Sequence, residues 1–278
     1  MNRRLLVAFT ATLMFVLALP ARAVYSPSTD NGWFITAGRV AGVGGALFRT
    51  DIWLFNPNEA AAVTVTLVFH PAVTSGQAAL VPVSSSPITL AARETRFFPD
   101  VTFDTVPVGD GVVGSLEWES SGPVMGAGRI YTFTPTGTYG FFLPAIPPSE
   151  SMGAKASADD TVNVLQLYGM SSGDADFRTN LDLTNTSGVA LPVEVRVIDP
   201  VTAQVYGGTQ TYSVAPGSLL RLGQILTAVG APLVDGLRIT VGITAGTAVP
   251  SGGILAAAYI LDNRTQDAFA FVGQRQNP

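Results

Sequence analysis

Cysteine is absent from all 278 residues, and histidine occurs once, at His70. No disulfide, thiolate nucleophile, zinc–thiolate site or iron–sulfur cluster can form. Lysine also occurs once, at Lys155, so the remaining cations are arginines. Charged residues make up 13% of the chain, about half the usual share. No P-loop, no G-x-G-x-x-G after a strand and no metalloprotease helix motif is present.

What is there begins with a leader. Arg3 and Arg4 precede an uncharged apolar run, Leu5 to Leu19, which Pro20 ends. Ala21-Arg22-Ala23 follows as a small-x-small cleavage pattern, so residues 1–23 read as a secretory signal peptide. The run is shorter than the ~20 residues of a spanning helix, and no later segment fits one. The expected location is secreted or periplasmic. Cleavage removes Arg3, Arg4 and Arg22, so 15 basic residues become 12 against 20 acidic ones, a net charge of −8. That balance argues against nucleic acid or anionic membrane as partners.

The chain is organised by a repeat. Phe48-Arg49-Thr50-Asp51-Ile52-Trp53-Leu54-Phe55-Asn56-Pro57 recurs as Phe177-Arg178-Thr179-Asn180-Leu181-Asp182-Leu183-Thr184-Asn185-Thr186. Alternating runs follow each copy, Val63 to Phe69 and Leu191 to Val197. Leu90 to Val101 then matches Val214 to Ile225, and Val112 to Trp118 matches Leu237 to Ile243. Tyr139 and Phe141 match Phe269 and Phe271. Ordered anchors of this kind indicate a duplicated unit. Side chains alternate with period two, and Gly, Pro, Asn and Asp punctuate about seven runs per copy, the pattern of antiparallel β-sandwiches. Only Leu219 to Val229 reads as a helical turn. The expected division is a first domain at 24–147, a linker at 148–160 and a second domain at 161–278. The linker composition is stiff at its prolines and loose after them.

The Phe48 to Pro57 segment resembles a Phe/Trp-Arg-Thr-Asp-x-Trp-Leu-x-Asn-Pro signature in uncharacterised secreted bacterial proteins with tandem immunoglobulin-like repeats. The match is looser over Phe177 to Thr186. The resemblance implies an all-β extracellular fold of two immunoglobulin-like sandwiches, and no defined activity.

One copy serves as a control for the other. Leu181 and Leu183 are expected to face the core, and Asn180, Asp182 and Thr184 to face water. The same register points Ile52 and Leu54 inward and Asp51, Trp53 and Phe55 outward. Two aromatic rings then lie on a face that the second copy keeps polar. They make Trp53 and Phe55, with Tyr131, the candidate binding residues. Such a face can serve self-association, domain docking or glycan stacking, unless the loop from Val73 to Ser86 folds over it. Trp118 reads as core.

Catalytic readings are weaker. His70 ends a strand, and a surface position is expected for it. Glu117 and Glu119 lie two residues apart on one strand face, where they cannot flank a sugar from opposite sides. A solvated face paired with Arg129 is the expectation. A calcium ion is the one cofactor left open, at Asp159-Asp160 or at Asp174 with Asp176. Arg49 and Asp51, with their twins Arg178 and Asn180, read as structural, because an acid that becomes an amide in the other copy is not a shared catalytic group. The expected function is therefore a non-enzymatic exported module for surface adhesion, matrix assembly or protein contact. The alternative is a carbohydrate-binding module, and the partner is a protein or glycan at the surface.

Overall fold

The computed structural model of the protein describes residues 28–42, 45–134, 137–172 and 176–275. The expected leader at 1–23 lies outside the described residues, as does Asp174. The chain is nearly all β, and its named strands pair only antiparallel. Among the described residues, no helix is long and apolar enough to cross a membrane.

The first half contains β1 (Thr29–Ala41), β2 (Leu47–Phe55), β3 (Val63–Pro71), β4 (Val83–Ser84), β5 (Ile88–Leu90), β6 (Thr95–Phe98), β7 (Val112–Thr134) and β8 (Gly137–Pro144). Alternation explains how they layer: Val63, Val65, Leu67 and Phe69 of β3 are buried while the residues between them are not. The 23-residue β7 serves both layers. Its N-terminal part pairs with β3 and β1, and its part from Met125 onward pairs with β2 and β8. The turn of direction falls near Gly122 and Pro123, a pair poorly suited to a continuous ladder.

The second half contains β9 (Leu165–Met170), β10 (Phe177–Asn185), β11 (Leu191–Ile198), β12 (Val205–Val214), β13 (Leu219–Leu222), β14 (Leu237–Ile243), β15 (Ile254–Asp262), β16 (Ala268–Val272) and β17 (Gln274–Arg275). One layer runs β13–β10–β15–β16 and the other β12–β11–β14–β9–β17. The first half has the same orders, β6–β2–β7–β8 and β5–β3–β7–β1, with β7 doing the work of both β14 and β15. A single helical turn follows β6 and β13 alike, at Val101–Asp104 and Ile225–Ala228. Only the second was expected.

Two sequence matches slip by two residues. Thr50 faces Ile130 and Thr179 faces Ile260, while Phe141 faces Ile130 and Phe269 faces Ile260. The twins of Phe269 and Phe271 are therefore Phe141 and Leu143, not Tyr139 and Phe141. Likewise Leu67 faces Trp118 and Val195 faces Val241, so Trp118 corresponds to Val241 rather than Ile243. A two-residue slip keeps every side chain on its face, so alternation cannot detect it.

The halves are packed together. The first half's core, which buries Trp118 as expected, takes in Leu255, Ala257, Tyr259, Leu261 and Ala268 from the second half. The second half keeps a core of its own between β10, β11, β14 and β15. The segment read as a loose linker is tied down. Ile146 and Trp33 exchange backbone hydrogen bonds, as do Met152 and Ile254, and the Lys155 amide donates to Ile243. Lys155 is buried, with Nζ on Glu194 Oε2 at 2.8 Å. Gly, Ala and Ser permit this close approach, so the composition that reads as flexible serves packing.

Candidate binding face

The repeated motif comes first, because its polar residues are spoken for. Thr50 Oγ1 donates to Gly38 O at 3.0 Å and accepts from Gly38 N, which ties β2 to β1. Its twin Thr179 donates to Ser171 O. Asp51 Oδ1 accepts the amide of Asp100 at 2.8 Å, and Asn180 Oδ1 accepts the amide of Gln224 at 2.9 Å. Asp100 and Gln224 both stand in the left-handed region, φ 38° and 48°, at the start of the helical turn. An oxygen acceptor is all that site requires, so aspartate and asparagine both serve. Asn56 sends Nδ2 to the carbonyls of Ala61, Leu90 and Ala91, and Asn185 sends its own to Val189 and Val214. Both asparagines are fully buried. Their recurrence in the motif was the available signal for this bracing role.

The arginines sit differently. Arg178 donates to Asn263 Oδ1 and to Gln266 Oε1. Arg49 Nε lies 3.8 Å from Asp100 Oδ2, which Arg39 holds at 2.6 Å. Burial pushes the Asp100 carboxyl above its ordinary pKa despite these cations.

Trp53, Phe55 and Tyr131 all point to the outer side of the β6–β2–β7–β8 sheet, but none is bare. Trp53 is half-buried, stacked on Phe97 at 4.8 Å between ring centroids, with the Arg129 guanidinium 5.6 Å from its ring centre. Phe55 is half-buried opposite Met125 and Thr95. Tyr131 is buried, with Arg129 4.4 Å from its ring centre and Phe133 edge-on at 5.2 Å. Asp51, expected to face water, is buried because Arg129 caps it with two hydrogen bonds of 2.9 and 2.8 Å. Trp53, Arg129, Tyr131, Tyr139 and Phe142 line one shallow depression. Phe142 is 64% exposed and Phe133 59%. The loop after Val73 bonds to the second half instead, through Val73 N on Leu219 O and Gly76 N on Ser213 O.

The equivalent face of the second half is covered, contrary to the expectation that Asp182 and Thr184 meet water. Both are fully buried, and Asn180 is half-buried. Arg221 grips Asp182 with bonds of 2.8 and 2.6 Å, and Thr36 donates to the same carboxylate. Thr184 Oγ1 donates to Ile35 O at 2.9 Å, and the Tyr259 hydroxyl to Thr36 Oγ1 at 3.0 Å. Burial, with Asp182 adding to it, drives the Tyr259 hydroxyl far above its ordinary pKa.

The lone histidine, expected at the surface, is half-buried. His70 stacks on Trp33 at 4.8 Å and bonds Glu117 Oε2 at 2.8 Å, and Asn31 donates to Glu117 Oε1. Glu117 is buried, so the expected solvated face with Arg129 is replaced by this pair; Glu119 is exposed. Gly217 of the second half lies on the imidazole, where a Cβ would come within 3.0 Å of Nδ1.

Among the described residues no three His, Asp or Glu side chains gather as metal ligands. Asp160 accepts the amides of Ala156, Val162 and Asn163 and the Asn163 side chain, and Asp176 pairs with Arg264. Compared with known proteins, the sequence matches no protein-family model and no curated protein.

Proposed function

We propose that the chain is an exported, non-catalytic contact module, acting in surface adhesion, matrix assembly or protein–protein contact, and that it works through the outer face of the first half. We also propose that its halves are tandem immunoglobulin-like domains of a variant kind. The pairing of β2 with β6 and of β3 with β7 follows the immunoglobulin key. The departure is β7, which passes on into the opposite sheet to lie beside β2.

One observation carries the functional reading. The face that folding buries sets a polar pair, Asp182 and Thr184, among Leu255, Ala257, Tyr259 and Leu261, which the first half covers. The equivalent face left open holds Trp53, Phe97, Phe133 and Phe142. Folding alone does not call for large aromatic rings on an open face, and an apolar patch rimmed by polar groups is the mark of a contact surface. A protein partner fits better than a glycan. Sugars stack on bare ring faces, whereas Phe97 and Arg129 already flank Trp53, and Arg129 and Phe133 approach Tyr131.

The test is retention after export. The full chain and its Trp53→Ser/Phe142→Ser variant are expressed in an exporting bacterium, and the bound and released fractions are measured. The expected result is release of the variant, with a melting temperature lowered by only a few degrees. Equal retention would overturn the reading, and release of the wild-type chain by free sugars would favour the glycan alternative.

A further inference from the structure

The contact that joins the two halves is heterologous, because two different surfaces meet. One is a flank of the first half, the side between edge strands β1 and β8. The other is the outer face of the second half's β10–β15–β16 sheet. Tyr259 marks the fit, with its hydroxyl on Thr36 of β1 and its ring 5.0 Å from Phe141 of β8.

The duplication supplies each surface once more. The twin of the flank lies between β9 and β16. Phe269 stands there at the position of Phe141. The ladder irregularity between Phe34 and Ala37 recurs between Leu167 and Met170, so Tyr168 and Gly169 stand where Ile35 and Thr36 stand. Ile35 and Thr36 are buried by the joint, but Tyr168 is 52% exposed and Phe269 is 60% exposed. The twin of the covered face is the aromatic face around Trp53. By strand register, Trp53 replaces Asp182, Arg129 replaces Tyr259 and Phe142 replaces Ala270.

One chain therefore contains one occupied joint and the two unlike surfaces of a second. The sizes run in compensating directions. The open face has grown, with Trp53 for Asp182 and Phe142 for Ala270. The open flank has shrunk at its centre, with Gly169, at φ +73°, in place of Thr36. Aromatic side chains are uncovered on both surfaces, and each surface matches one that is already seated elsewhere in the molecule.

The geometry points to head-to-tail self-assembly: the open aromatic face of one copy seats against the β9–β16 flank of the next, repeating between molecules the joint found within one. This rests on the reading of the Trp53 face as the contact surface and names its partner as a second copy. Unlike surfaces paired in this way generate rings if the rotation closes and filaments if it does not.

Sedimentation velocity on the mature chain, residues 24–278, tests it. The wild type is expected to grow in size with concentration. A face variant, Trp53→Ser/Phe142→Ser, and a flank variant, Tyr168→Ser/Phe269→Ser, are each expected to be monomeric, with melting temperatures near wild type. Mixed in equal amounts they are expected to form a one-to-one dimer and nothing larger, since one intact face then meets one intact flank. A wild type that stays monomeric at every concentration would overturn the inference, as would a flank variant that assembles like wild type. If the wild type is monomeric while the face variant is still released from cells, the contact-surface reading stands and self-assembly falls.

Discussion

The two equivalent sheet faces solve opposite problems. At matching cross-strand positions the first half pairs Trp53 with Phe97, and the second pairs Asp182 with Arg221. The aromatic pair is the open one. The ionic pair lies under the other half, which is affordable only because every oxygen of Asp182 finds a donor. A buried ion pair of this kind sets register between the halves more than it adds stability. The open aromatic pair has no such folding task.

The comparison breaks most sharply at Asp182. Asp182→Ala strands the Arg221 guanidinium beneath the joint and removes the acceptor for Thr36. The expected loss is about 3 kcal/mol of unfolding free energy. Trp53→Ala at the equivalent position removes one stacking partner and one cation–π contact from a half-buried site, with an expected loss of about 1 kcal/mol. Denaturant midpoints of the two variants check the ratio. Equal losses would mean that the two faces are not energetically distinct.

Next come the buried asparagines, where the halves are expected to agree. Asn56→Ala and Asn185→Ala each leave two or more strand-end carbonyls without a donor, at an expected cost of about 2–3 kcal/mol apiece. A large difference between them would show that only one turn depends on its asparagine. Asp51 and Asn180 should then differ modestly. Asp51→Asn keeps an acceptor for the Asp100 amide but weakens the two-pronged grip of Arg129, with an expected loss of about 1–2 kcal/mol. Asn180→Asp keeps the acceptor for Gln224 and faces Tyr259 where Asp51 faces Arg129, so its melting temperature is expected to stay close to wild type.

These twins show what could be read in advance. The layers, the inward set Ile52, Leu54, Leu181 and Leu183, and the core position of Trp118 follow from alternation, which records which side of a sheet a residue takes. Alternation does not record what lies on that side. Asp182 and Thr184 were rightly set opposite the leucines, yet the first half, not water, covers them. Asp51 shares the outer face but is capped by Arg129, 78 residues away in sequence. The depression lined by Trp53 and Tyr131 was foreshadowed by comparing the copies. Its companions Arg129, Tyr139 and Phe142 come from strands whose register the sequence leaves ambiguous by two. His70 was misplaced for a related reason. Its cover, Gly217, belongs to the other half, and a glycine leaves no pattern that announces a contact.

The smallest effect expected concerns the other pair of sheets, where each half shelters a hydrogen-bonded pair on an outer face: His70 with Glu117 under Gly217, and Lys155 with Glu194 under the turn at 156–163. That turn is braced by the Asp160 carboxylate. Hydrogen bonds from the Asn163 side chain and amide, then from the Ala156 and Val162 amides, hold its pKa well below the ordinary value. A depressed carboxyl stabilises the fold above its unfolded pKa and loses that contribution as pH falls through the folded one. Asp160 stands in a surface turn and is only half-buried, so the effect is local. Hydrogen exchange is expected to show the Ala156 and Val162 amides protected at neutral pH and opening only in strong acid. Asp160→Ala should open them at neutral pH without shifting global melting. Protection that persists in that variant would mean that the buried Lys155, rather than the carboxylate, holds the turn closed.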